Sequence, residues 1–349
     1  MQLCDNMEFK HYQNLQTHTY PKINKNFKTK KSIFKTNENL VAQIPQIARQ
    51  IHRKTMQNQH HTNQATKNTN DTTNALILAY KPAFITSNAF LTSIKKKYHL
   101  NKAGFSGTLD PFAKGALLIA SGSYTKLLPF LPTSPKCYEA VLWLGAKSKS
   151  LDIENFLGVE QIQPFSEGKI KRVLDSLQGK ITYTPPSFSA KKVGGKRAYT
   201  LARIGEQVEL SQSTMEVFSL QFLKYNHPFL HFSCEISKGG YVRSLGELIA
   251  KKLGTNGILS ALTRTKEGDL RAYNGRDIFL NPLEILPFDT LKLDSSFAPL
   301  VKNGAKICLK NTKNGIFIVR FSDFFSIIEV LKDGNIKYLC NRICYANTL

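Results

Sequence analysis

Along residues 75–349 short apolar runs are separated by polar turns, and the period of each run sorts it into strand or helix. Ala75-Leu76-Ile77-Leu78-Ala79-Tyr80 ends at Lys81-Pro82 and predicts a buried strand. A helix is expected next, capped by Ser87-Asn88, with Phe90, Leu91 and Ile94 on its apolar face and three lysines at the end where cations suit the helix dipole. Further strands are predicted at residues 138–144, 221–225, 230–236, 315–321 and 326–331. Helices are predicted at 166–177, 199–204, 242–253 and 258–262, and Asp110-Pro111 has the form of an N-cap followed by proline in the first helical turn. So many strands with so few crossovers argue for an α+β fold built on a largely antiparallel sheet. A proline-rich boundary at 281–287 precedes a stretch with strand patterns and an Asp333-Gly334 hairpin signal, expected to be a small β domain packed on the main one.

The first 74 residues break this pattern. They contain no glycine, Asn, Gln and Thr fill 30 of the positions, and no sustained period appears. Such a segment cannot bury enough apolar surface to offset its chain entropy, so it is expected to be a disordered basic extension. It serves either as a nucleic-acid arm or as an inert tail, and the tail is favoured.

Charge narrows the function. The 349 residues carry a formal net charge of +23, which points to a polyanion, nucleic acid ahead of a membrane surface. No apolar run approaches the ~18–20 residues of a membrane-spanning helix. Six scattered cysteines without a disulfide framework suit a reducing, cytoplasmic setting. Cys340 and Cys344 lack the second ligand pair of a structural zinc site, so no metal is expected.

Candidate chemistry concentrates in the segment 104–118, Gly-Phe-Ser-Gly-Thr-Leu-Asp-Pro-Phe-Ala-Lys-Gly-Ala-Leu-Leu. Its two leading glycines permit a tight loop, and Asp110 stands between Lys102 and Lys114, a field that keeps a carboxylate ionised and available as a nucleophile. The plain alternative is a helix cap and nothing more.

This loop resembles the catalytic loop of the TruB family of tRNA pseudouridine synthases, and four further motifs in family order extend the resemblance over most of residues 75–349. Lys81-Pro82 with Thr86-Ser87-Asn88 is similar to the first motif. Lys136-Cys137-Tyr138 with Leu144-Gly145 and Asp152 is similar to the next. The run from Pro185-Pro186-Ser187 to Arg197-Ala198-Tyr199, then Ser237-Lys238-Gly239-Gly240-Tyr241-Val242-Arg243, and finally Leu262-Thr263-Arg264-Thr265 with Gly268 complete it.

The resemblance implies a pseudouridine synthase fold, a largely antiparallel mixed sheet flanked by helices. The catalytic domain would span 75–290 with an RNA-gripping insertion at about 183–210, and 291–349 would be a small PUA-like β domain. It implies isomerisation of uridine to pseudouridine at position 55 in the T-arm of tRNA, with no cofactor and no metal, by a monomer. Asp110 would be the nucleophile, Arg243 its partner, and Tyr138 the ring that stacks on the flipped base and serves in proton transfer. Tyr241 and Leu262 would line the uracil pocket. Phe105 would contact substrate, Lys81 would either contact it or support the catalytic loop, and Lys191, Lys192, Lys196 and Arg197 would grip RNA.

Three features depart from the family pattern, one being that Glu247 or Leu248 occupies the stretch after Arg243-Ser244-Leu245 where the family often carries aspartate. Phe105 stands where histidine is usual, and Phe84 where the first motif usually has glycine. Two other readings compete: a guide-RNA-dependent synthase sharing the Ser-Gly-Thr-Leu-Asp-Pro core, and a non-catalytic tRNA-folding chaperone or RNA-binding module. The insertion at 185–199 argues against the first, and the intact Asp110, Tyr138 and Arg243 against the second.

Overall fold

A computed structural model describes residues 73–189, 191–193, 196–203, 210–310 and 312–346, except for the side chains of 192, 193, 196, 197, 202 and 203. They fall within a single compact unit. The expected extension lies outside the described residues up to position 72. Asn74, expected to belong to it, is instead built into the fold: its side chain donates to the carbonyls of Cys344 and Tyr345 and accepts from the Ser123 amide.

Strand β1 (Ala75–Lys81) leads through helix α1 (Ser87–Lys97) to β2 (Ala103–Phe105), β3 (Lys114–Ser121) and β4 (Lys136–Leu144). A small hairpin of β5 (Ala146–Ser148) and β6 (Phe156–Val159) precedes α2 (Glu167–Asp175) and β7 (Gly179–Tyr183). The two-residue strands β8 (Lys192–Val193) and β9 (Lys196–Arg197) form a ribbon ahead of α3 (Ala198–Arg203). The long hairpin β10 (Ser213–Asn226) and β11 (Phe229–Ile236) then runs into α4 (Val242–Leu253) and β12 (Gly257–Glu267). Strands β13 (Leu270–Arg271) and β14 (Ile278–Phe279) and helix α5 (Pro282–Ile285) complete the larger part. The C-terminal part holds β15 (Asp289–Thr290), α6 (Phe297–Lys302), β16 (Gly315–Arg320), β17 (Phe324–Val330) and β18 (Ile336–Cys344).

Ten strands make the main sheet, in the order β14-β1-β3-β12-β4-β11-β10-β7, with β2 beside β3 and β13 beside β12. Every pairing is antiparallel except β3 with β12. The α+β expectation of a largely antiparallel mixed sheet therefore holds. Helices α2 and α4 bury Ile170, Leu174, Leu245, Ile249 and Leu253 against Leu142, Leu230 and Phe232 of the sheet. The C-terminal sheet, β15-β16-β17-β18, contributes Phe325, Ile327 and Ile343 to a cluster shared with Leu76, Leu78 and Leu118, so it packs on the larger part as expected. Its Asp333-Gly334 turn closes the β17–β18 hairpin. Among the described residues no helix is long and apolar enough to cross a membrane.

Three expectations need correction, and in each a tertiary contact overrides a local signal. Asp110-Pro111 starts no helix; a single turn, with the Ala113 amide on the Asp110 carbonyl, leads straight into β3. The run Ala116 to Ala120 is wholly buried between β1 and β2, a place that suits a strand. Residues 258–262 are likewise strand, because β12 fills the gap between β3 and β4. The cap of α1 is Thr86, whose hydroxyl accepts from the Ala89 amide, while Ser87 is turned inward.

The parallel joint of the main sheet fixes one glycine. Gly115 lies opposite Arg264 with φ 114, and a Cβ there would stand 2.2 Å from the Arg264 carbonyl oxygen. Both the left-handed backbone and the close approach demand glycine. We expect Gly115→Ala to cost at least about 2 kcal/mol, read as a lowered denaturant midpoint at unchanged m-value.

Candidate active site

Asp110 sits in the loop between β2 and β3, and two elements of the first motif pin the loop on either side of it. Ser87, in the first turn of α1, donates from its hydroxyl to the Leu109 carbonyl and accepts from the Leu109 amide, both at 2.9 Å. The Phe84 amide donates to the Pro111 carbonyl at 2.6 Å. Beneath them the Lys81 ammonium donates to the carbonyls of Pro82, Ile85 and Pro111 at 2.9, 2.8 and 3.3 Å. Lys81 has no exposed surface, and burial above all lowers its pKa to about 8 against the opposing pull of Asp110. Of the two roles open to Lys81, contact with substrate or support of the loop, its place under the loop with its donors committed to backbone suits the second.

Arg243 occupies the first turn of α4, and the fold brings it to Asp110 across 133 positions of sequence. Its Nη2 donates to Oδ1 of Asp110 at 2.9 Å, and Nε lies 2.8 Å from Oδ2 without hydrogen-bond alignment. Nη1 donates to the Ser150 carbonyl at 2.7 Å and to Oδ2 of Asp152 at 3.1 Å, and Nη2 also reaches the Phe188 carbonyl at 2.9 Å. The guanidinium side chain is 2% exposed, whereas that of Asp110 is 29% exposed. Asp152, itself buried, receives the Ser150 hydroxyl at 2.6 Å and the Glu154 amide at 2.9 Å; burial pushes its carboxyl pKa up, against the pull of Arg243. One carboxylate is thus locked inside on the arginine and the other is presented to solvent.

A second buried network lies below the loop. Arg264 is 1% exposed and donates through Nε to the Ala116 carbonyl at 2.7 Å and through Nη2 to the Gly107 carbonyl at 3.2 Å. The same Nη2 stands 2.6 Å from Oε1 of Glu267, a carboxylate that also receives the Ser106 hydroxyl and lies 3.6 Å from the Lys136 ammonium. Tyr138 on β4 faces Arg264 across the ladder. Burial pushes its phenol up to about 12, Arg264 pulling it down, and it stays protonated at neutral pH.

The fold places the other sequence-predicted residues as follows. Tyr241 immediately precedes α4, its ring 6.2 Å from Tyr183, and both line a cavity of about 390 Å³ together with Lys191 and Lys238. Leu262 is buried on β12 in the cluster against which Tyr138 and Tyr241 pack. Phe105, on β2 opposite Ile119, is half-buried and packs against the Phe90 and Ile94 cluster. The Lys191 ammonium donates to the Ser213 hydroxyl at 2.8 Å and the Ser211 carbonyl at 3.1 Å. Lys192, Lys196 and Arg197 form the β8–β9 ribbon, and their side chains lie outside the described residues. Sequence reasoning quoted Asp152 and Arg264 within motifs without assigning them work, and it passed over Ser106, Lys136 and Glu267 as site groups.

Two outcomes follow from this geometry. Ser87→Ala removes both hydrogen bonds to Leu109 and leaves a buried amide and carbonyl unpaired, so stability should fall by about 1–3 kcal/mol and turnover should fall with it; denaturant unfolding beside single-turnover rates checks this. Lys81 and Lys136 both have pKa values lowered to about 8, chiefly by burial, from 10.5. Below about pH 8 both states hold these protons and the burial cost is complete; between about 8 and 10.5 the unfolded chain binds more protons, so these groups make stability rise with pH. Unfolding free energies across that range should rise for the wild type relative to Lys81→Met.

Residues 95–242 match the N-terminal domain of the TruB family of pseudouridylate synthases. The tRNA pseudouridine synthase B of Helicobacter hepaticus is 50% identical over 274 residues, 78% of this chain and 96% of that protein. The protein of the same name from a Sulfurovum species is 44% identical over 270 residues, 77% of this chain and 97% of its own length. Among solved structures, a chain of a Cbf5–Nop10–Gar1 complex shares the fold with a TM-score of 0.55 at 19% identity, over 78% of this chain and 87% of that one. With half its matched residues identical over nearly the whole length of such a relative, the chain belongs to the TruB family of pseudouridylate synthases.

Proposed function

We propose that this chain isomerises uridine to pseudouridine at position 55 in the T-arm of tRNA, with Asp110 as nucleophile, acting as a monomer in the cytoplasm. The observation that carries the reading is the Asp110–Arg243 pair: a carboxylate open to solvent on one side and held on the other by a guanidinium that is itself fixed by Asp152 and two carbonyls. Relatives named tRNA pseudouridine synthase B, matched over nearly their whole length, supply the substrate class.

The reaction breaks the bond from N1 of uracil to the ribose and makes one from C5. The C5 proton is lost and N1 gains one, so nothing is oxidised and no phosphoryl group moves. A carboxylate that forms one temporary covalent bond, to base or to sugar, holds the fragments while the base turns. Arg243 holds and aims Asp110 through a charge-assisted hydrogen bond from Nη2, with Nε close to the second carboxylate oxygen. The target uridine leaves its stack to reach Asp110. Tyr138 offers the flipped base a flat surface and takes part in the proton transfer at C5. Leu262 and Tyr241 bound the pocket. Lys191, with the basic ribbon that follows it, supplies phosphate contacts, which position RNA without reading its sequence.

Asp110→Asn should abolish product while tRNA binding survives, because the amide keeps the shape and loses the nucleophile. Arg243→Lys should also lose most turnover, since a point charge does not reproduce the guanidinium fork. Pseudouridine mapping on bare tRNA transcripts, with purified protein, reads both variants. Substantial product from Asp110→Asn would sink the assignment, and a requirement for a guide RNA would favour the guide-dependent reading instead.

A further inference from the structure

The turn that clamps the catalytic loop carries an aromatic ring for which the mechanism has no use. Phe84 is 50% exposed, belongs to none of the four hydrophobic clusters, and stacks on no other ring among the described residues. Its backbone lies at φ 65, the left-handed region that a Cβ disfavours and that phenylalanine seldom enters. Its amide is committed to the Pro111 carbonyl, so its backbone is anchored to the residue after Asp110. Phe105, the other unusual aromatic of this region, turns toward the core instead. Phe84 therefore combines backbone strain, an apolar surface left in water and a position at the rim of the site. Folding gains from none of these, and residues kept in costly conformations gather where a ligand is gripped.

We propose that Phe84 is a stacking platform for an unpaired base of the RNA substrate, held at the rim of the site beside Asp110. The proposal rests on the RNA-modifying reading above and adds a contact to it. Drawing the target uridine out of its stack leaves a neighbouring base with an uncovered face, and a solvent-facing ring fixed to the catalytic loop covers it. Every base has such a face, so this contact strengthens binding without selecting sequence. The clamp also ties the ring's position to that of the loop: a base seated on Phe84 lies at a fixed distance from the carboxylate.

The test uses the full chain and a tRNA transcript. Dissociation constants are measured in an Asp110→Asn background at fixed salt, single-turnover rates in the active protein, and melting temperatures for each variant. Phe84→Gly relieves the strain and removes the ring, so the melting temperature should stay level or rise while affinity falls about 5- to 100-fold, the usual worth of one base–aromatic stack. Phe84→Asn, which tolerates the left-handed backbone without glycine's freedom, should lose the same affinity, and Phe84→Tyr should bind as the wild type does. Affinity within about twofold of wild type for both ring-less variants would overturn the proposal. So would a lower melting temperature accompanying the loss, which would make the ring a packing element. Wild-type protein that binds tRNA and yields no pseudouridine overturns the activity assigned above, and the binding comparison still decides the role of Phe84.

Discussion

A guanidinium removed from water demands counter-charge and acceptors, and the two terminal nitrogens of Arg243 find them in four places: Asp110, Asp152, and the carbonyls of Ser150 and Phe188. Leaving one buried charge uncompensated costs several kcal/mol, so the elements supplying these acceptors are held in mutual register. Those elements are the β2–β3 loop, the segment after β5, the segment after β7, and α4 itself. The Ser244 hydroxyl, next along the helix, donates to the Thr184 carbonyl at 2.8 Å and fastens the same post-β7 segment over the arginine. The geometry around Asp110 and the stability of the fold therefore share one ion. Because Asp152 and the carbonyls hold one side of the guanidinium, the aim of its other side at Asp110 is set before any substrate arrives, which is the preorganisation that electrostatic catalysis needs.

The first motif does for the loop backbone what Arg243 does for the carboxylate. Ser87 holds the residue before Asp110 and Phe84 the residue after it, while Lys81 braces the turn that carries them. From below, Arg264 and Glu267 take the carbonyl of Gly107 and the hydroxyl of Ser106. Gly107, at φ 96, would bring a Cβ within 2.8 Å of the Lys136 ammonium, so the loop also fits tightly against β4. A loop fixed at four of six consecutive residues loses little entropy on binding a ligand, and Asp110 carried on it keeps its position.

How much of this was legible in the sequence depended on whether the signal was local. β1, α2 and α4 follow from apolar periods that agree with their environment. Asp110-Pro111 carries a sound helix-start signal, and 258–262 a plausible helical one; both yield to the sheet, since Leu117 and Leu259 are more deeply buried as strand residues between neighbours. Asp110, Tyr138 and Arg243 were found through motif order, which sequence displays. The work of Asp152, Ser106 and Glu267 was not, because pairs such as Ser106 and Glu267 lie 161 positions apart and only the sheet brings them together.

The partition of the two cations follows the same physics. The chain has 37 lysines against 11 arginines, yet the cations that anchor Asp110 and the strand junction are Arg243 and Arg264. An ammonium is a compact, strongly hydrated charge, and burying it weakens its hold on the proton, as at Lys81 and Lys136, both lowered to about 8. A guanidinium keeps its charge when dry and distributes it over a planar fork that serves several acceptors at once. Lysine therefore suits the outer surface, where a mobile point charge follows a phosphate backbone. The cation that holds Asp110 must stay charged and stay aimed with almost no water around it, and among the side chains only arginine meets both conditions.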